Sequence, residues 1–392
     1  MLHDIEEEYY DIKSGTYRYV PLMFDLEMTF RNKYDDDNSQ EIISKHMDDF
    51  KEEHDKFLDS ISDAVDQFEK KGKKIFKGSK VVNEDSVKIL KYAKTILKGL
   101  KLVDENVSGD TKDSFEKQLE EMRQLKLIYE ADMFPFLATD PRRSGMGKYI
   151  EELVGPGKTF HGIKIYTPNG YSPTDPHLFD PDVSFVGGTC LYQWCIDHNI
   201  AIMAHNSDAG FATFTDRLQV NGDVCIQEPG DDCTYKLEYL DKKYIDFEYN
   251  LKKGGFGKAV QERARRLNHP CIWKKVLTRY PDLKICFAHF GGGSEKWQDE
   301  IAELVKNFKH VYTDLSCQTN LEMLEKISKK YFKQNSAENE KMRKKIMYGS
   351  DYFLNMLQGI KFENYYKHFR EAFSDEQLKY MSMDVPRSFL GI

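Results

Sequence analysis

The chain of 392 residues has no apolar run of the roughly 20 residues that a membrane-spanning helix requires, so no membrane span is expected. It has no excess of positive charge either. Its 57 Lys and Arg stand against 65 Asp and Glu, a formal net charge of −8, which speaks against a nucleic-acid-binding surface. The opening Met1-Leu-His-Asp-Ile-Glu-Glu-Glu carries neither the basic segment nor the apolar segment of an export signal, and a cytoplasmic location is expected. Cysteine is scarce and odd in number, at seven. Cys190, Cys195, Cys271, Cys286 and Cys317 sit in apolar contexts, where a reduced thiol behaves as a small hydrophobe. Cys225 and Cys233 share a polar stretch at a spacing that matches no zinc knuckle, so free thiols are expected there. No internal repeat or low-complexity segment stands out.

What is present is a set of short apolar runs that end in polar side chains of metal-binding type. Asp282-Leu-Lys-Ile-Cys-Phe-Ala-His289 is followed by three glycines, which reads as a buried strand delivering His289 into a site where backbone can approach a ligand. Ile200-Ala-Ile-Met-Ala-His205 repeats the design, and Lys345-Ile-Met-Tyr-Gly-Ser-Asp351 repeats it with a carboxylate. In a barrel of parallel strands such C-terminal ends converge on one face, where active sites are built. Two further runs fit the same scheme. Phe134-Pro-Phe-Leu-Ala-Thr-Asp140 ends in a turn bearing Arg142 and Arg143, and Gly162-Ile-Lys164-Ile carries a lysine that needs a partner or a polar interior.

Ahead of these, Tyr19 to Thr29 reads as a first strand in which Asp25, Glu27 and Thr29 alternate with apolar residues and share one face. Residues 35–129 change character to charged amphipathic stripes, among them Ile43, Met47, Phe50, Phe57 and Ile61 with His54 on the same face. This segment is expected to be a helical insertion, a candidate cap or contact surface for self-association. The stretch from Asn206 to Gly255 is too long for a plain connection and is rich in tyrosine, so it is expected to overhang the site as a lid.

Assembled, the residues resemble the amidohydrolase-related family of metal-dependent TIM-barrel enzymes, which holds aromatic-acid and aminocarboxymuconate-semialdehyde decarboxylases beside lactone and amide hydrolases. The resemblance rests on Tyr280-Pro-Asp-Leu-Lys-Ile-Cys-Phe-Ala-His-Phe-Gly-Gly, Val311-Tyr-Thr-Asp-Leu-Ser and Ile346-Met-Tyr-Gly-Ser-Asp-Tyr. It covers residues 19–34 and 130–390 and leaves the insertion at 35–129 outside. It implies an α/β fold, a TIM (β/α)8 barrel with a helical insertion after the first strand and a long loop after the fifth. It also implies one divalent metal ion held by Glu27, His205 and Asp351, with His289 and Asp351 moving protons. Arg142, Arg143 and Lys164 are candidate holders of a substrate carboxylate or phosphate. Related enzymes carry His-x-His or Glu-x-His on the first strand, whereas this chain has Glu27-Met28-Thr29. The remaining set is oxygen-rich, and it suits Mn²⁺ or Mg²⁺ as well as Zn²⁺. The expected activity is metal-dependent hydrolysis of a small-molecule lactone, amide or ester by an activated water. The alternatives are non-oxidative decarboxylation of an aromatic or unsaturated acid, and a barrel that has lost chemistry at Thr29 and serves in binding or assembly.

Overall fold

The computed structural model describes residues 20–23, 25, 27–31, 114–129, 132–227, 236–250, 256–351, 355 and 360–392. The expected insertion at 35–129 lies outside the described residues apart from the helix Ser114–Ile128, as do the acidic lead-in at 1–18, His54 and Cys233. The chain divides into two units, residues 36–116 and the rest. The second of these is the subject below.

Eight strands are described: β1 (Phe136–Thr139), β2 (Gly162–Ile165), β3 (Ala201–His205), β4 (Arg217–Gln227), β5 (Lys236–Asp246), β6 (Ile285–Ala288), β7 (Val311–Asp314) and β8 (Ile346–Met347). Six of them form a parallel sheet in the order β1-β2-β3-β6-β7-β8, with helices in the connections. Because helices cover such a sheet, its strands are largely apolar, and β1, β2, β3, β6 and β7 are buried at every position. The two-residue period then sorts the side chains. Phe136, Ala201, Met203, Cys286, Ala288, Tyr312 and Met347 fall on one face, where they pack with Val385, Phe389 and Leu390 of the helix Val385–Leu390. On the other face Phe287 meets Trp273 of the helix Pro270–Arg279 edge-on at 5.5 Å. Gly162 pairs with Phe136, and a Cβ there would come within 2.3 Å of the phenyl ring, so β1 and β2 can meet only with glycine at that position.

The order of strands and helices is that of the expected α/β barrel. Among the described residues β8 pairs with β7 alone, and the ring is not closed. The first strand departs from expectation. Leu22 makes a single parallel bridge to Phe136, through Phe136 N–H to Pro21 O at 2.9 Å and Met23 N–H to Phe136 O at 3.1 Å. Then Glu27–Phe30 wind into a 3-10 turn. Bonds from distant parts of the chain explain the turn. The Asp25 carboxylate is clasped by Arg143, its carbonyl accepts the Asn169 side-chain amide at 3.1 Å, and the Thr29 hydroxyl turns back toward that same carbonyl at 3.5 Å. The alternating face of Asp25, Glu27 and Thr29 is therefore not formed.

The long segment after β3 carries regular structure of its own. The larger part of its described residues is an antiparallel hairpin in which β4 and β5 pair from Arg217↔Asp246 to Gln227↔Lys236. Leu218, Val220, Val224, Leu240, Ile245 and Phe247 form its own core with Leu267 of the helix Phe256–Asn268. Asp223 is tied to Lys275 at 2.7 Å and to the Thr174 hydroxyl at 2.7 Å. The hairpin is thus seated on neighbouring helices. Cys225, expected in a polar loop, is buried within β4.

Candidate active site

Register decides which side chains share the inner face. Lys164 pairs across to Met203, and Met203 to Cys286, so Lys164, Met203 and Cys286 lie in one row on the face that also carries His205 and Asp314 near the strand ends. Lys164 is buried and has no carboxylate in salt-bridge contact among the described residues; its ammonium lies 5.9 Å from the Tyr166 ring. Burial lowers its pKa, opposed by the carboxylates of Asp351 and Asp314, which places the lysine within electrostatic reach of both.

His205 closes β3. Its Nε2 is bonded to Ala209 O at 3.0 Å, while its buried Nδ1 has no hydrogen-bond partner among the described residues. The Tyr166 ring stacks on it at 4.3 Å, and the Tyr166 hydroxyl donates to Phe211 O at 2.9 Å. Gly210 makes this fit possible. With φ at +110° and a would-be Cβ 2.7 Å from the Tyr166 oxygen, no larger residue fits between tyrosine and imidazole. Burial, the neighbouring His289 and Lys164 together push the His205 pKa well below its ordinary value of 6.5, so the imidazole is neutral and offers a lone pair.

His289 follows β6 directly and meets His205 edge-to-face at 4.8 Å. Asp314 at the end of β7 positions it. The Asp314 carboxylate accepts the His289 backbone N–H at 3.0 Å, the Ser316 N–H at 2.9 Å and the Ser316 hydroxyl, and the Ser316 Oγ lies 2.9 Å from His289 Nδ1. On the open side His289 Nδ1 is 4.0 Å from Asp351 Oδ2, and that same oxygen accepts the Cys317 thiol at 3.0 Å. Burial lowers the His289 pKa, with Asp314 and Asp351 opposing. The Cys317 thiol is pushed up by burial and by Asp351.

Backbone strain marks the same place. The described non-glycine residues with positive φ are Asn199, Lys242, His289, Phe290, Cys317 and Asp351; His289, Cys317 and Asp351 belong to this cluster, and Phe290 directly follows His289. Such conformations cost on the order of 1–3 kcal/mol each and persist where surrounding structure over-determines them.

The residues expected from sequence are therefore distributed unevenly. His205, His289, Asp351 and Lys164 come together at the strand ends. Glu27 is described in its backbone only, and its side chain lies outside the described residues. Thr29 is fully buried, with its hydroxyl 3.4 Å from Asn169 Oδ1 and its carbonyl accepting Phe214 N–H and the Thr213 hydroxyl, so it anchors the loop after β3. Arg142 is buried in a two-point pair with Asp140 at 2.9 and 2.6 Å and donates to the carbonyls of Met28 and Asn169. Arg143 makes a two-point pair with Asp25, both contacts at 2.6 Å. Both guanidinium groups thus hold the first segment against β1 and the following turn, an architectural task. Sequence reasoning missed Tyr166, Asp314, Ser316 and Cys317. Cys317, expected as a small hydrophobe, is half-buried with its thiol on Asp351; the one signal was its place three residues past a strand end that itself carries an aspartate.

The donor chemistry fits a divalent cation. His289, Cys317 and Asp351 each present a ligand atom within 4.8 Å of the others, and the orphaned Nδ1 of His205 lies on the neighbouring ring. Imidazole, thiol and carboxylate form a mixed nitrogen, sulfur and oxygen set of the kind zinc accepts, softer than the oxygen-rich set expected from sequence. Among the described residues no helix is long and apolar enough to cross a membrane.

In overall structure the chain is similar to 5-carboxyvanillate decarboxylase from Sphingomonas paucimobilis, at 13% identity and a TM-score of 0.39 over 70% of this chain and 71% of that one. It is similar to dihydroorotase from Saccharomyces cerevisiae at 14% identity and a TM-score of 0.38, over 71% and 72% of the two chains. It is also similar to 5-carboxyvanillate decarboxylase from Novosphingobium aromaticivorans, whose structure contains manganese, at 10% identity and a TM-score of 0.40 over 71% and 69%. No curated protein matches the chain. The amidohydrolase family model matches residues 113–385, a span that leaves out the first segment with Glu27 and holds His205, His289, Cys317 and Asp351. The chain belongs to the amidohydrolase family, a family of metal-dependent enzymes that includes both hydrolases and decarboxylases.

Proposed function

We propose that the chain is a metal-dependent hydrolase of a small carbonyl compound, a lactone, amide or ester. The observation that carries the reading is the convergence of His205, His289, Cys317, Asp351 and Lys164 at the C-terminal ends of parallel strands. His289, Cys317 and Asp351 would hold the cation, with His205 as a fourth donor; Glu27 is a ligand candidate by resemblance alone. A divalent ion there supplies Lewis-acid polarisation of a carbonyl and a lowered pKa for water. The other steps belong to the protein. Asp351, partly exposed and with a second carboxylate oxygen besides the one on Cys317, takes the proton of the attacking water and returns it to the leaving group. Lys164, buried at the strand ends within electrostatic reach of Asp351 and Asp314, holds the carbonyl oxygen as negative charge develops on it. Ser316 and Asp314 hold the His289 ring in place. Arg142 and Arg143, engaged with Asp140 and Asp25, are left out of substrate binding.

The reading is tested by elemental analysis of protein purified without added metal, followed by turnover assays on lactones, amides and esters beside aromatic acids. A bound divalent metal with hydrolysis that Asp351→Asn abolishes supports it. Carbon dioxide release from an aromatic acid, without hydrolysis, replaces it with the decarboxylase. Metal-free protein with neither activity overturns it in favour of a binding or assembly role.

A further inference from the structure

A second cluster of metal-binding side chains lies away from the strand ends. Cys225 comes from β4 of the hairpin, while His269 and Cys271 flank Pro270 at the start of the helix Pro270–Arg279. Exposure is 1% for Cys225, 0% for His269 and 7% for Cys271, and each offers a ligand atom within 4.8 Å of the other two. The geometry is held from both sides. His269 is the N-cap of the helix, its Nδ1 accepting the Cys271 backbone N–H at 3.2 Å, which sets the ring beside the Cys271 thiol. Cys225 is fixed by the β4–β5 register, opposite Leu237. Ile272 and Leu237 pack around the two thiols and keep the cluster dry.

We propose that Cys225, His269 and Cys271 form a second cation site, for a thiophilic divalent ion of the zinc type, which fastens the hairpin to the helix Pro270–Arg279. The charge balance favours it. Two thiols that each release a proton, one neutral imidazole and one divalent cation sum to zero, so the filled site needs no counter-ion in its apolar surroundings. Sulfur with imidazole nitrogen is the soft donor combination that selects zinc over magnesium or calcium, and three protein donors leave one coordination position open. The site shares no residue with the cluster at the strand ends, and its occupancy is independent of the proposed hydrolysis.

The test uses the full chain carrying Cys317→Ser, which removes the thiol of the other cluster. Titration with cobalt(II) should then still give a thiolate-to-cobalt charge-transfer band. That band should vanish on further substitution of Cys225→Ser or Cys271→Ser, and Cys225→Ser alone in the otherwise unaltered chain should lose metal while keeping turnover. X-ray absorption of the zinc-loaded Cys317→Ser protein reads the sulfur ligands directly and needs no variant at the site itself. No charge-transfer band in Cys317→Ser, a band that survives both serine variants, or a zinc spectrum without sulfur would each overturn the proposal. Failure of the hydrolysis assays would leave the cobalt and X-ray absorption outcomes untouched.

Discussion

Lys164 carries the sharpest conflict between stability and use in the molecule. An ammonium buried beside Tyr166, with its pKa lowered by desolvation, opposes folding, and an apolar side chain of similar length would not. Lys164→Met is expected to raise the thermal midpoint while turnover falls by roughly 100- to 1,000-fold, the scale of losing one oxyanion donor. A fall in both would show the lysine to be architectural. Arg142 should behave in the opposite way. Its removal strands Asp140 as a buried carboxylate without its guanidinium and takes a donor from the Asn169 carbonyl, so Arg142→Ala should cost about 3–5 kcal/mol in denaturant unfolding. In whatever enzyme remains folded, KM should stay near that of the parent. A raised KM at normal stability would return Arg142 to the substrate site.

At the scale of elements, the loop after β3 divides into two parts with different tasks. Residues 206–213 wrap His205 and Tyr166, and beyond them the hairpin is packed on helices. Gly210→Ala forces a methyl group into the 2.7 Å gap against the Tyr166 oxygen at a positive φ, and it should lower turnover more than stability by shifting the His205 ring. Unchanged turnover would show that the loop tolerates displacement there. Hydrogen exchange across 217–227 should be slow without any ligand, because the strand has its partner and its core already. Fast exchange that slows on adding a substrate analogue would restore the lid expected from the chain's length and tyrosine content.

Across the whole molecule, acid should unfold the metal-free protein early. His205, His289 and His161 all have pKa values below the ordinary 6.5, chiefly through burial. Below about pH 6.5 the unfolded chain takes up protons at these rings while the folded chain does not, so stability falls as pH falls. Unfolding followed with chelator present should show this loss between about pH 7 and 5, and His161→Gln should shrink it. A flat profile would mean that these rings are more solvated than their burial indicates.

How far the sequence could be read depended on whether a feature is local. The runs ending at His205, His289 and Asp351 are legible because burial on both faces writes itself into composition, and a polar residue at the end of such a run stands out. The strand order follows from chain order once strands alternate with helices. Lys164 was legible for the same reason, as a charge where none belongs. The first segment was misread because its alternation is real but its conformation is set elsewhere: Arg143 and Asn169, more than a hundred residues on, hold Asp25 and turn Glu27–Phe30 into a 3-10 turn. Cys317 reads in the sequence as a small hydrophobe because its partner, Asp351, lies 34 residues away in sequence and 3.0 Å away in space. Cys225 looked like a loop cysteine because nothing near it in the chain shows that its strand is packed against the helix that begins at Pro270. Sequence by itself determined the six strands of the parallel sheet, their order and the polar residues at their ends, since these answer to burial and to neighbours a few positions off. Tertiary structure alone decided which donors meet, because a ligand set is a matter of distances between segments that no local pattern encodes.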